Sequence, residues 1–352
     1  MASHRVTTAS GRYDVVVERG VLERARDFLP QSSGKLFLLT TEDVWRLHGS
    51  KLSLDAHVLT FPGGEVNKRL SVLEGLAEQM IAAGADRAGI LIAFGGGIVN
   101  DVGGFLAAVF MRGIPVMQIP TTLLAQVDAA IGGKTGVNLE SGKNLVGSFH
   151  QPIAVLVDPN VLSTLPEREY RAGLFEVIKC GVIRSPELFH IMSNEAEHVL
   201  RQRPDIVDRI VDESVRIKAE VVSEDEKETD LRRILNFGHT LGHALEAETA
   251  YKRFLHGEAV GFGMRAAVRL AKLTGHLPEA DATTMLDAIA RYGPIPPRDG
   301  VSPEKLVSRV SSDKKTIKGK THFVLPEAIG RVRIVTGIDP SMVLSAVRPE
   351  CQ

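Results

Sequence analysis

The sequence predicts two domains, an α/β domain over residues 1–165 and a mainly helical one over 166–352, and three observations carry that reading. Short β-like runs alternate with helical patterns through the first part, the arrangement of an α/β sheet. The run at 90–94, ILIAF, is unbroken apolar sequence leading straight into Gly95-Gly96-Gly97, as a parallel strand buried on both faces would. After Leu165-Pro166 the pattern lengthens into helical segments.

Taken in order, 13–17 and 35–40 read as strands, 21–28 as a helix and 56–61 as a third strand. A turn at Phe61-Pro-Gly-Gly-Glu65 precedes a helix with Leu70, Leu73, Leu76, Ala77 and Met80 on one side. By themselves Glu65 and Lys68 read as a solvated first turn. The strand at 90–94, its glycine loop and the helix after it form the arrangement that sets backbone N–H groups against a phosphate. Against the pattern G-x-G-x-x-G the third glycine position holds Asn100, so the match is partial and a tight structural turn is the alternative. A strand at 114–119 ends in Pro120-Thr121-Thr122, whose hydroxyls either bond a cofactor or cap the next helix. Asp128, Lys134, Asn138, Lys143 and Asn144 then stand among five glycines. That composition suits a flexible, close-fitting phosphate site, with a solvated loop as the alternative. A last strand lies at 154–158.

Beyond the boundary, Glu176 and Lys179 are three apart and share a helix face, yet their neighbours Leu174, Val177, Ile178 and Val182 are apolar. A buried carboxylate there needs a cation or a metal ion; a surface ion pair is the plainer reading. The helix at 204–224 has its apolar stripe at Val207, Val211, Ser214 and Val222, and Lys218 falls on it. A lysine so placed snorkels or binds an anion. The last third is further helix, apart from a basic loop and β-like runs in DKKTIKGKTHFVLPEAIGRVRIV.

The chemistry concentrates in residues 232–260, RRILNFGHTLGHALEAETAYKRFLHGEAV. Read as one helix, 232–246 places Arg232, Asn236, His239, His243 and Glu246 on one stripe. Gly238 and Gly242 beside it weaken a helix by about 1 kcal/mol each, so a ligand or a packed helix must come close there. With His256, two or three imidazoles and a carboxylate from elsewhere make a plausible zinc site. Singly, each histidine reads as a capped or core residue; the polar stripe turns the reading toward metal.

Charge is nearly balanced, with 42 basic and 43 acidic residues and a formal net charge of −1. Nothing in that points to nucleic acid or an anionic membrane as a partner. The two cysteines, Cys180 and Cys351, lack the pairing of a disulfide framework, no apolar run approaches a membrane span, and no signal segment is evident. The expectation is a soluble cytoplasmic protein.

The segments GGGIVNDVGGF, MRGIPVMQIPTTLLAQVDAAIGGKTGVN, GKNLVGSFHQP, LPEREYRAGLFEVIKCG, NFGHTLGHALE, LHGEAV and DKK resemble the 3-dehydroquinate synthase family, in the family's order and over nearly the whole chain. The resemblance implies a homodimer with an N-terminal Rossmann-like NAD-binding α/β domain, an α-helical C-terminal metal- and substrate-binding domain, and an active site in the cleft between them. It implies Glu176, His239 and His256 as ligands of zinc or cobalt, leaving His243 to the substrate. NAD contacts fall on Glu65, Lys68, Gly96, Gly97, Asp101, Thr121, Thr122, Lys134, Lys143 and Thr164. Substrate contacts fall on Asp128, Lys134, Asn144, Lys179, Lys218, Arg232, Asn236, His243 and one of Lys314 and Lys315, with Arg112 reaching the substrate of the neighbouring subunit.

The implied reaction converts a sugar phosphate, 3-deoxy-D-arabino-heptulosonate 7-phosphate, into 3-dehydroquinate and phosphate in the shikimate pathway. Other sugar phosphate cyclases, of the 2-epi-5-epi-valiolone or 2-deoxy-scyllo-inosose type, are the alternative, followed by a metal-dependent polyol dehydrogenase and by an inactive NAD-binding scaffold. The cyclase substrates lack the carboxylate that Lys218 and Arg232 together fit. Two positions depart from the family pattern: Thr41 stands where an Asp usually holds the adenosine ribose, and Asn100 where glycine is usual. The expectation is that NAD still binds, with altered affinity or preference.

Overall fold

A computed structural model describes residues 2–31, 34–312 and 321–350. The chain forms two compact units, residues 1–166 with 218–227, and residues 167–217 with 228–352.

The first unit is built on a seven-stranded sheet. Its elements in chain order are β1 (Ala2–Thr8), β2 (Gly11–Val17), β3 (Leu36–Thr40), α1 (Glu42–His48), β4 (His57–Thr60), α2 (Leu70–Ala82), β5 (Ile90–Gly95), α3 (Gly97–Val109), β6 (Val116–Pro120), β7 (Lys134–Leu139), β8 (Gly142–Phe149) and β9 (Ala154–Val157). The sheet order is β1-β2-β9-β6-β5-β3-β4. Only the β1–β2 pair is antiparallel in this sheet. Alternation along the central strands explains their unbroken apolar sequence. Phe37, Leu39, Leu91 and Ala93 enter one core with helices α2 and α3. Leu36, Leu38, Ile90, Ile92 and Phe94 enter the other, with Met117, Ile119 and Leu156. Successive side chains point to opposite faces and both faces are covered.

After β3 the chain moves to β4 on one side, and after β5 it moves to β6 on the other. The carboxyl ends of β3 and β5 therefore flank a topological switch point, where open α/β sheets bind ligands. Thr41 follows β3, and Gly96 and Gly97 follow β5, which ends at Gly95.

Three sequence expectations change in this unit. The segment 21–28 is 3₁₀ rather than α-helical, kinked at Arg24. Strand β1 was not foreseen. The glycine-rich stretch expected to be flexible or solvated is a hairpin, β7 with β8 in antiparallel register from Lys134↔Phe149 to Leu139↔Gly142.

The second unit holds α4 (Glu167–Arg184), α5 (Pro186–Asn194), α6 (Ala196–Leu200), α7 (Pro204–Glu224), α8 (His239–Glu248), α9 (His256–Leu273), α10 (Glu279–Ala290), α11 (Pro303–Ser312), the hairpin β10 (His322–Ala328) with β11 (Arg331–Thr336), and α12 (Pro340–Val347). Among the described residues its regular structure is helical apart from that hairpin. The end of α7 belongs to the first unit, whereas the sequence placed all of 166–352 in one domain. Bonds tie that end to the first unit: Lys218 Nζ donates to Asp128 Oδ1 at 2.5 Å, Thr7 N to Ser223 Oγ at 3.0 Å and Ala9 N to Glu226 Oε2 at 3.0 Å.

The predicted single helix over 232–246 is broken. Residues Leu231–Asn236 form a 3₁₀ segment, and α8 starts at His239 after Gly238, whose φ of 82° is left-handed. Of the two explanations for Gly238 and Gly242, packing is the one observed. A Cβ on Gly242 would lie 2.8 Å from the Ala259 carbonyl oxygen, and one on Gly238 would lie 2.8 Å from that of Val260. Helix α9 is the close neighbour.

Candidate active site

In the second unit Glu176, His239 and His256 converge. Glu176 lies mid-way along α4, His239 opens α8, and His256 opens α9. Local sequence explains each placement. A Cβ on Gly257 would lie 1.8 Å from the Ala172 carbonyl oxygen, so only glycine lets the start of α9 rest on α4 one turn before Glu176. Glu258 fixes that start: its Oε2 accepts Leu255 N at 2.8 Å, and Arg168 donates to both of its oxygens at 2.7 and 2.9 Å.

Glu176 and Lys179 are each 1% exposed and paired at 2.5 Å through Oε2 and Nζ. The surface-pair alternative is excluded by that burial. Oε1 of Glu176 faces His239 Nε2 at 3.6 Å and His256 Nε2 at 3.5 Å. Tetrahedral ligands at about 2.0–2.1 Å from a zinc ion stand about 3.3–3.4 Å apart, so these separations fit a metal ion bound by the three atoms. The tautomers fit as well. His239 Nδ1 lies 3.2 Å from the Phe237 carbonyl oxygen and His256 Nδ1 lies 3.3 Å from Glu246 Oε2. Carbonyl and carboxylate oxygens only accept, so the neutral form of each ring that fits these contacts carries its proton on Nδ1 and leaves Nε2 for a metal ion. Burial opposes charge on His256, yet its bonds to Glu176 and Glu246 raise its pKa to about 10 in metal-free protein.

His243 lies one turn beyond His239, their ring centroids 5.3 Å apart. A second grouping, His243, Glu246 and His256, also brings three donor atoms within 4.8 Å of one another. Arg232 is 1% exposed, and Asn236 Nδ2 donates to Glu228 Oε1.

In the first unit four of the expected nucleotide residues, Glu65, Lys68, Asp101 and Lys143, form one connected polar network with Asn138 and Asn144. Lys68, 3% exposed, donates to Asp101 and, at 2.6 Å, to Asn144 Oδ1. It is therefore no solvated turn residue. Burial, with Glu65 and Asp128 nearby, pushes the Asp101 carboxyl up against the pull of Lys68. Asn138 Oδ1 accepts Asn144 N at 2.9 Å while its Nδ2 donates to Glu65 Oε1 at 2.7 Å. Those bonds hold Asn144 in the left-handed region at φ 53°. Lys143 pairs with Glu65 at 3.6 Å, and Lys134 is exposed at the start of β7. The sequence grouped Asn138 with the candidate phosphate-site residues, but its bond to Glu65, 73 residues away, is beyond the reach of any spacing rule.

Gly96 caps α3, and a Cβ there would lie 3.0 Å from Thr122 Cγ2; one on Gly97 would lie 3.3 Å from Ala129 Cβ. Thr121 is buried, its N–H on Gly95 O at 2.9 Å. Thr122 Oγ1 accepts Ala125 N at 3.2 Å, the capping role. Thr164 Oγ1 donates to Val161 O at 3.1 Å and meets His48 Nε2 at 2.8 Å. Lys218 is held by Asp128 and does not snorkel. Arg112 is exposed, and with Met111 it forms a left-handed pair at φ 72° and 48°.

Asn100 turns inward: its Nδ2 donates to Gln118 Oε1 at 2.8 Å, and Gln118 Nε2 returns a bond to Asn100 O at 3.2 Å. Its side chain belongs to the α3–β6 core. Thr41 Cγ2 would meet a Cβ on Gly63 at 2.9 Å. Lys314 and Lys315 lie outside the described residues.

The fold and the cluster together define a class, an α/β unit with a glycine loop at its switch point joined to a helical unit carrying a Glu-His-His cluster with the spacing to hold a metal ion. The comparisons narrow it. The 3-dehydroquinate synthase N-terminal family matches residues 58–172 and the 3-dehydroquinate synthase C-terminal family matches residues 173–316. A 3-dehydroquinate synthase of Solibacter usitatus (strain Ellin6076) is 58% identical, covering 99% of both chains. That of Koribacter versatilis (strain Ellin345) is 48% identical over 97% of this chain and 96% of its own. The chain belongs to the 3-dehydroquinate synthase family. Among solved structures, a 2-epi-5-epi-valiolone synthase from Streptomyces hygroscopicus subsp. jinggangensis 5008, with NAD+ and Zn2+ bound, superposes with a TM-score of 0.88 at 29% identity, covering 96% of each chain. A 2-deoxy-scyllo-inosose synthase complexed with carbaglucose-6-phosphate, NAD+ and Co2+ does so at 0.86 and 26% identity, covering 99% of each.

Proposed function

We propose that this protein converts 3-deoxy-D-arabino-heptulosonate 7-phosphate into 3-dehydroquinate and inorganic phosphate, with NAD and a divalent metal ion as cofactors. The observation that carries the reading is the convergence of Glu176, His239 and His256 within metal-binding distance in a chain of this family. When bound, NAD would take up a hydride from the substrate's alcohol carbon and return it, and the metal ion would polarise that alcohol's oxygen. The net conversion is redox-neutral, so no reduced nicotinamide accumulates.

The remaining roles belong to the chain. Glu176, His239 and His256 hold the metal ion, and Lys179 fixes Glu176 by taking its Oε2. The network of Lys68, Asp101, Lys143 and Glu65, with Gly96, Gly97, Thr121, Thr122, Lys134 and Thr164, holds NAD. Phosphate departure leaves a dianion that cations and N–H donors must stabilise in place; Lys134, Asn144, Asn236 and His243 supply them, and the departing phosphate takes the proton released in the elimination. Arg232 and Lys218 bind the substrate carboxylate, and Asp128 orients Lys218. A carboxylate partner distinguishes this reading from the carboxylate-free cyclases, and the 58% identity to a 3-dehydroquinate synthase favours it over them.

We also propose a homodimer in the cytoplasm. Leu145 and Phe149 on β8 and Val109 on α3 are about half exposed, Arg112 is displayed nearby in sequence, and the Cys180 thiol is buried. A monomer by analytical ultracentrifugation at micromolar concentration, or recovery outside the cytosolic fraction, would contradict these assignments.

Arg232→Ala tests the carboxylate role. The substrate KM should rise about 30-fold or more, the scale of a buried charge losing its partner, while the NAD dissociation constant stays within about two-fold. Equal losses for both would refute it.

A further inference from the structure

Glu246 is an unusual place for a buried charge. It is 2% exposed and sits in the last turn of α8, where the helix dipole disfavours a carboxylate. A buried carboxylate is stable only with a close partner, and its Oε2 lies 3.3 Å from His256 Nδ1. The opposite nitrogen of that imidazole faces Glu176 Oε1 at 3.5 Å.

Helices α8 and α9 run antiparallel with glycine contacts between them, Gly242 against Ala259 and Gly238 against Val260. Continuing that register toward the end of α8 brings Glu246 level with His256. The same packing therefore places the carboxylate behind the first residue of α9.

We propose that Glu246 is a positioning residue for the metal site: it accepts the Nδ1–H of His256, fixes that ring's tautomer and orientation, and makes Nε2 a stronger donor to the metal ion. This role rests on the metal reading of Glu176, His239 and His256. A rival use of the same carboxylate, as a ligand together with His243 and His256, would require His256 to turn its Nδ1 to the metal and leave Glu176. The Nε2 atoms of His239 and His256 both point at Glu176 Oε1, which favours the positioning role.

The test uses the full-length protein stripped of metal, then loaded with Zn2+ or Co2+. Dissociation constants come from chelator competition, coordination from the Co2+ visible spectrum, and folding from metal-free melting curves. Glu246→Ala should keep a folded metal-free state and weaken metal binding about 10- to 100-fold, the range for loss of a carboxylate behind a ligating histidine. Glu246→Gln keeps an acceptor oxygen in the same shape and should recover part of that affinity. The Co2+ band of both variants should keep the intensity of the wild type with a shifted maximum. Unchanged affinity in a folded Glu246→Ala protein, or in Glu246→Gln should the alanine variant not fold, overturns the role. So does a loss as complete as that of His256→Ala, which would make Glu246 a ligand. Wild-type protein that binds neither ion overturns the metal site itself along with this role.

Discussion

Lys68, Lys218 and Glu226 are charges whose partners lie far away in sequence, which is why none could be placed by spacing. Lys68 meets Asp101 and Asn144, 33 and 76 positions on; Lys218 meets Asp128, 90 positions back. Read locally, Lys68 is a solvated turn residue and Lys218 a snorkelling one. Glu226 accepts from Ala9 N at 3.0 Å, Ser10 Oγ at 2.5 Å and Gln151 Nε2 at 3.0 Å. Burial works against its charge, but these donors outweigh it and hold the carboxyl below its ordinary value of 4.5. A carboxylate whose folded pKa is depressed adds stability that is fully present above the unfolded value and is lost as pH falls through the folded one. Glu226→Gln should therefore lower the melting temperature at neutral pH, and its difference from the wild type should shrink below about pH 4.5. A difference that is constant with pH would contradict the charge-based account. At this same scale the two histidines of HTLGH could not be separated from the residues alone. What favours His239 in the proposed metal site is Gly238, whose left-handed conformation starts α8 at His239, where the His239 Nδ1 meets the Phe237 carbonyl oxygen.

Elements were legible where period and burial agree. The central strands β3, β5 and β6 read correctly because both of their faces are covered, giving apolar runs. The hairpin β7–β8 read as a loop because its glycines mimic one. They are there for close approach: a Cβ on Gly147 would lie 2.0 Å from the Thr135 carbonyl oxygen, and one on Gly136 would lie 2.8 Å from that of Val146. Glycine inside a strand often marks such contact rather than flexibility. The α8–α9 pair shows the same logic between helices. A Cβ on Gly263 would lie 1.8 Å from the Gly238 carbonyl oxygen and 2.8 Å from Gly242 N. These are backbone atoms that cannot swing aside. Gly263→Ala should cost about 1–3 kcal/mol, the usual range for overpacking, read by urea unfolding, and should weaken metal binding because α8 and α9 both carry proposed ligands. Unchanged stability would mean that the helices separate freely and that their glycines are not what sets the site.

For the whole molecule, the two-part organisation and the order of motifs were legible, while the assignment of 218–227 to the first unit was not. The end of α7 meets residues of the first unit at least 75 positions away in sequence, and helical periodicity carries no trace of such partners. Asn100 illustrates the converse: the departure from a glycine pattern is plain in the sequence, but its consequence is internal, a bond to Gln118 that closes α3 on β6. Asn100→Gly should accordingly be a matter of stability more than of NAD affinity. The central claim concerns chemistry that uses NAD without consuming it. The measurement that bears on it most directly is phosphate release from 3-deoxy-D-arabino-heptulosonate 7-phosphate, with and without NAD and with and without a chelator, while absorbance of reduced nicotinamide is followed. The account predicts release that requires both NAD and metal, with no net accumulation of reduced nicotinamide. No release from metal-loaded, NAD-supplied protein, or release in step with accumulating reduced nicotinamide, would contradict it.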